Sequence, residues 1–109
     1  MDIKEYQEAA HKTSQCPKIG EEYIYPVLGL CGEAGELANK VKKIFRDDGC
    51  ILTEARKTEI KKELGDILWY VAEISTTLGL DMDNVAETNI EKLASRLGRG
   101  AISGDGDTR

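Results

Sequence analysis

Hydrophobic residues recur along this chain at helical spacing and almost nowhere alternate. From Val27 they fall at Leu30 and Cys31, Ala34, Leu37 and Ala38, Val41, and Ile44 and Phe45, a sustained i, i+3, i+4 stripe. A second stripe runs through Ile60, Leu64, Ile67 and Leu68, Val71, Ile74 and Leu78, and a third through Val85, Ile90, Leu93 and Leu97. Near the N-terminus Ile3, Tyr6 and Ala9/Ala10 mark one side of a shorter helix. The pattern predicts an all-α chain, a four-helix bundle-like protomer with helices over 2–14, 26–45, 54–78 and 82–97, each burying its stripe.

Punctuation agrees. Cys16-Pro17-Lys18-Ile19-Gly20 reads as a loop, with Pro and Gly as breakers. Pro26 biases Tyr25 away from helix and suits a first helical turn, so the second helix is expected to begin near Pro26, with any turn over 21–25 separate or kinked. Arg46-Asp47-Asp48-Gly49 is a stop and turn. Thr53 and Asp81 are expected N-caps, and Gly79 a C′ residue. Residues 1–97 form one domain; the tail 98–109, with four glycines and no periodicity, reads as a loop or a disordered end unless a partner orders it.

Two acidic pairs interrupt these stripes at their edges: Glu33-x-x-Glu36 and Glu63-x-x-Asp66. The i, i+3 spacing puts each pair on one helix face, where like charges repel by roughly 0.2–0.5 kcal/mol per pair. At 100° per residue Glu33 lies roughly 90° and Glu63 roughly 70° from the centres of their stripes, with Glu36 and Asp66 further round. If the second and third helices pack antiparallel, these flanks meet, with Glu59 and Tyr70 on the same side as Glu63 and Asp66. A hard divalent cation, above all Mg²⁺, is the ligand that such a gathering of oxygens suits. Gly29, Gly32 and Gly35 surround Glu33 within seven residues. Each costs a helix roughly 0.8–1.0 kcal/mol relative to alanine, so a close approach of a helix, metal or ligand is expected there.

Composition narrows the rest. At 109 residues the chain is one small domain, for which oligomerisation is a natural way to cover more apolar surface. With 15 Lys and Arg against 20 Asp and Glu, net charge −5, no basic surface for nucleic acid is expected. No signal-peptide-like or membrane-length apolar run occurs, and Cys16, Cys31 and Cys50 read as reduced thiols, so a cytoplasmic protein off the membrane is expected. No Ser-His-Asp, Cys-His or Walker-type arrangement competes with the acidic pairs.

The segment from Gly29 to Lys43, together with Glu63-Leu-Gly-Asp-Ile-Leu-Trp-Tyr70 and a spacer of 26 residues (37–62) between the acidic pairs, resembles the MazG-type all-α nucleoside triphosphate pyrophosphohydrolases. Asn89-Ile-Glu-Lys-Leu-Ala-Ser-Arg96 is similar to that family's fourth-helix pattern. The resemblance implies hydrolysis of the α–β phosphoanhydride of a (d)NTP to monophosphate and pyrophosphate, with Mg²⁺ as cofactor and Mn²⁺ as a substitute, in a homodimer or homotetramer. Carried over by position, it implies that Glu33, Glu36, Glu63 and Asp66 are the catalytic metal ligands. Tyr70 would contact the nucleotide, and Asn89, Lys92 and Arg96 its phosphates or sugar. Lys40, Lys43, Lys92 and Arg96 are the cations available for the leaving pyrophosphate. Two alternatives stand beside this: a phosphoribosyl-ATP or other non-dNTP diphosphohydrolase of the same fold, and a non-catalytic helical oligomer binding a nucleotide or protein.

Three further residues carry plainer readings. His11 is expected at the surface or core edge. Trp69, off the main stripe, suggests a subunit interface rather than base stacking. The Lys40/Lys42/Lys43 cluster favours a helix C-terminus. The tail lacks the ligand pattern of a calcium loop; closure over the site, as the ending of some relatives suggests, is the functional alternative.

Overall fold

The computed structural model describes residues 1–109. It has four helices and no strands: α1 (Ile3–Lys12), α2 (Ile24–Asp47), α3 (Glu54–Thr77) and α4 (Met82–Gly98). α2 packs on α3 alone, α3 also carries α1 and α4, and α4 touches α1 but not α2.

The ends follow local chemistry. Asp2 caps α1 by accepting from the Glu5 amide at 2.7 Å, and Thr53 caps α3 by accepting from Arg56 N at 3.2 Å. α3 stops where Gly79 takes φ 69°, with Leu80 N bonded to Ser75 O at 2.8 Å, so orphan carbonyls find amides. α2 begins at Ile24, two residues before the position expected from Pro26, and a turn closed by Ile24 N donating to Glu21 O at 3.1 Å runs directly into it. Pro26 lies in the first turn, where an amide hydrogen has no intrahelical acceptor, so the ring interrupts nothing.

Asp81 makes no side-chain cap. Gln7 of α1 takes over: its Oε1 accepts from Met82 N at 2.8 Å, while its Nε2 donates to Leu80 O at 2.9 Å and Thr76 Oγ1 at 3.1 Å. One side chain thus pins α1 to the α3–α4 turn. At the other end Arg56 clamps the α2–α3 turn, bonding Asp48 at 2.8 Å and Glu59 at 3.0 Å.

The core is thin. Eight of 109 residues are buried, and the central cluster is Ala10, Ala72 and Met82 with Tyr6, Trp69 and Val71 packed against it. Trp69 packs against this core, half-buried, its Nε1 donating to Thr13 Oγ1 at 2.9 Å. The radius of gyration is 16.9 Å, against about 13 Å for a compact chain of this length.

The stripes are only half covered. α2 turns Pro26, Leu30, Glu33, Leu37 and Ile44 inward, leaving Leu28 (66% exposed), Phe45 (65%) and the glycines 32 and 35 outward. Helix four does not bury its stripe either: Val85, Ile90, Leu93 and Leu97 are all exposed. α3 is the one helix that packs on α2, and a single helix cannot cover a stripe that wide.

Candidate metal centre on the α2–α3 seam

Rotation of α2 toward α3 is what builds the site. Glu33 faces α3 instead of standing at the stripe's edge, because Gly29, one turn earlier, lets the helices close. A Cβ at Gly29 would lie 2.3 Å from the Tyr70 ring, so only glycine admits that ring between α2 and α3. Gly32 and Gly35 have no such neighbour; added Cβ atoms there meet open space. The expected close approach therefore accounts for one glycine of the three within this protomer.

Across the seam, carboxylate oxygens of Glu33, Glu63 and Asp66 lie within 4.8 Å of one another. Glu33 and Glu63 are half-buried and Asp66 is exposed. Burial, then a hydrogen bond shared with Glu63, then the charges of Asp66, Glu63 and Glu36 push the Glu33 carboxyl above its usual range. No lysine or arginine forms an ion pair with any of the three. Two unit charges about 4 Å apart repel by about 1 kcal/mol in water and about 4 kcal/mol at an effective dielectric of about 20. The trio is therefore a concentration of negative charge that the chain does not neutralise.

Glu36 is exposed one turn along α2, outside the trio, though its charge reaches Glu33. Glu59, on the same side of α3, is bonded by Arg56 at 3.0 Å. Tyr70 stands edge-on to Trp69, ring centroids 5.0 Å apart at 89°. Its hydroxyl is pushed up first by burial and then by Tyr25, Cys16, Glu33 and Asp66, which places it beside the acids. Tyr6 of α1, which the sequence assigned only to an apolar side, is also raised by burial and then by Asp66. Its signal lay in the inward face of α1, legible only once α1 is known to lie on α3.

None of the cations expected at the phosphates forms an ion pair with the trio. Lys40 and Asn89 make no side-chain hydrogen bond or ion pair, and α4, carrying Asn89, Lys92 and Arg96, does not reach α2. Lys92 Nζ and Arg96 Nη2 bind the tail's own Asp107 at 3.0 and 3.2 Å. The tail is a loop held against α4. His11 is exposed and meets the buried Glu73 at 3.0 Å, satisfying a carboxyl sealed between α1 and α3. Concavities of the protomer, up to about 400 Å³, flank α1, α3 and α4 and none is lined by the acidic trio, which lies on an open seam.

The donor set is all carboxylate oxygen, mutually repelling, with two of its three members half-buried. That chemistry fits a hard divalent ion and no soft one. No helix is long and apolar enough to cross a membrane.

A family model described as the MazG nucleotide pyrophosphohydrolase domain matches residues 25–99, a span that holds both acidic pairs. The chain is also 43% identical over 114 aligned positions, covering the whole of both proteins, to the Gene 37 protein of Mycobacterium phage L5. No solved structure matches it. With its all-helical fold, and with both acidic pairs inside the matched span, the chain belongs to the MazG nucleotide pyrophosphohydrolase family.

Proposed function

We propose that the protein is a divalent-metal-dependent hydrolase that cleaves a (d)NTP to its monophosphate and pyrophosphate. The observation that carries this reading is the uncompensated trio Glu33, Glu63 and Asp66. Those three would hold the ion, Mg²⁺ or Mn²⁺, with Glu36 a turn away. When bound, it supplies positive charge to phosphoryl oxygens and to a nearby water.

The chain's own residues do the remainder. A triphosphate carries about four negative charges and the trio would repel it, so substrate binding is coupled to filling the site. Glu36 has its oxygens free to orient a water and take its proton as the water oxygen attacks phosphorus and the α–β bridging bond breaks. Tyr70, wedged against Gly29 beside the acids, gives a planar wall and a protonated hydroxyl for the nucleoside end.

The half-covered stripes of α2 and α4 support assembly into a homodimer or homotetramer. A second copy can lie on Leu28, Phe45, Gly32 and Gly35, where a side-chain-free surface allows close helix approach. Cations that pair with no member of the trio in the protomer can then serve across the interface.

Incubation with the eight common NTPs and dNTPs, with pyrophosphate and monophosphate both detected, tests the reading. We expect release of pyrophosphate from at least one of them, abolished by excess EDTA. Turnover undiminished by EDTA would falsify the metal assignment. Silence across the panel with turnover of added phosphoribosyl-ATP would move the substrate and keep the site. Nucleotide binding with no turnover would favour a binding protein.

A further inference from the structure

Asp107 caps two cations of α4. Its carboxylate Oδ1 accepts from Lys92 Nζ at 3.0 Å and from Arg96 Nη2 at 3.2 Å, and its backbone carbonyl accepts from the same Nη2 at 2.7 Å. Lys92 and Arg96 are one turn apart on α4, so the carboxylate bridges two cations much as a phosphoryl group does.

The two cations differ in a telling way. Arg96 is 3% exposed, and its Nε is buried with no hydrogen-bond partner. A buried guanidinium normally uses its full fork on an oxyanion, and Asp107 reaches one edge of it only. Asp107 itself is 82% exposed at its side chain, on the solvent side of a contact whose cationic half is sealed. The pairing is thus incomplete at the arginine and open to competition at the aspartate.

The loop that carries Asp107 keeps its shape by other means. Arg109 donates to the carbonyls of Ala101, Ile102 and Gly106, and Arg99 donates to the Arg109 carbonyl at 2.9 Å. Gly104 and Gly106 sit at φ 144° and 77°, and a Cβ at Gly104 would come to 3.0 Å from Arg109 Cδ. The closed turn holds together around Arg109, whereas Asp107 is the acidic side chain that pins it to α4. Releasing the pin does not require unmaking the loop.

We infer that residues 101–109 form an autoinhibitory strap, in which Asp107 occupies the Lys92–Arg96 anion site and is displaced by the phosphates of the substrate. The inference rests on the triphosphate reading above and adds a regulation to it. A singly charged tethered carboxylate lowers the apparent affinity of the site by the fraction of time it is bound, and a multiply charged phosphate outcompetes it. Free nucleoside, lacking that charge, leaves the strap in place.

Calorimetric titration of inorganic pyrophosphate into the full-length protein, in EDTA, tests it without any turnover. Because each exposed ion pair is weak, Asp107→Asn should bind pyrophosphate about three- to tenfold more tightly than the unaltered chain. Arg96→Gln should lose the binding in either background. In ¹⁵N spectra of the unaltered chain, the Gly106 and Asp107 amides should move as pyrophosphate is added, and that readout does not depend on how any variant folds. Equal or weaker binding by Asp107→Asn, amides that stay still, or no saturable binding at all would each overturn the strap. The nucleotide panel reports separately: pyrophosphate release with no effect of Asp107→Asn leaves a hydrolase without a strap, and no release at all removes the hydrolase while the EDTA titration still decides the strap.

Discussion

The two charged regions of this protein are built on opposite plans. On the α2–α3 seam, Glu33, Glu63 and Asp66 are brought within 4.8 Å of one another and given no counter-charge. On α4, Lys92 and Arg96 are given a counter-charge by the chain's own Asp107. A site that a resident ion is meant to fill can be left raw, since the ion repays the repulsion on binding. A site visited by a transient ligand benefits from a weak stand-in, which keeps cations from wandering and steps aside. Under the proposed function, the difference in charge balance separates a place where an ion stays from one where a ligand comes and goes.

The sharpest way to break the comparison is Glu63→Gln. Activity should fall at least about 10²-fold as a ligand is lost. Relieving like-charge repulsion of about 0.5 kcal/mol should at the same time raise the melting temperature of the EDTA-treated protein by roughly 2–4 °C. A lower melting temperature in EDTA would mean the acids are not in conflict. Next, Gly29→Ala drives a methyl into the Tyr70 ring; expelling it should cost about 1–3 kcal/mol of stability and about tenfold in activity, while Gly35→Ala, facing open space, costs neither by clash in the protomer. Denaturant melts and initial rates on both variants separate the two glycines.

Gln7→Ala sharpens the contrast from outside both sites. It leaves the Met82 amide without its partner, for a loss of about 1–2 kcal/mol by chemical denaturation, with kcat per folded protein unchanged. The smallest effect is one of pH. Hydrogen bonds from Lys92, then Arg96, hold the Asp107 carboxyl below its usual range, so the folded loop keeps its charge to lower pH than the unfolded chain does. The contact is fully present above the ordinary carboxylate range and is lost as pH falls through the depressed value. Amide shifts of Gly106 and Asp107 should therefore be flat from neutrality through mild acid and move only below it.

Much of the fold was legible because local signals agreed. Thr53 and Gly79 marked α3 at both ends, and three stripes at helical spacing named three helices. What stayed hidden was which part of a broad stripe faces inward. In α2 nearly half the circumference is apolar, so periodicity cannot say whether Leu30 or Phe45 is core; the glycine that admits Tyr70 decides, and that is a contact across the chain. The same limit put Glu33 at an edge when it faces α3. Gln7 replaced Asp81 as the cap of α4 because a long amide on a neighbouring helix outreached a local aspartate. Trp69 looked unpartnered until α1 was laid beside it. In the tail, glycines and aspartates announced a loop but not its anchor, since pairing of Asp107 with residues 92 and 96 depends on a turn whose shape only Arg109 defines.

Having eight buried residues has a consequence for how the protein behaves when scarce. If the remaining apolar surface is covered by another copy, folding and association are one equilibrium, and its midpoint moves with concentration. Diluted below that point, chains would unfold and become prey to proteases, and specific activity would decline with dilution instead of staying constant. Output would then climb faster than linearly with the number of chains made, giving a threshold in dosage without any separate regulator.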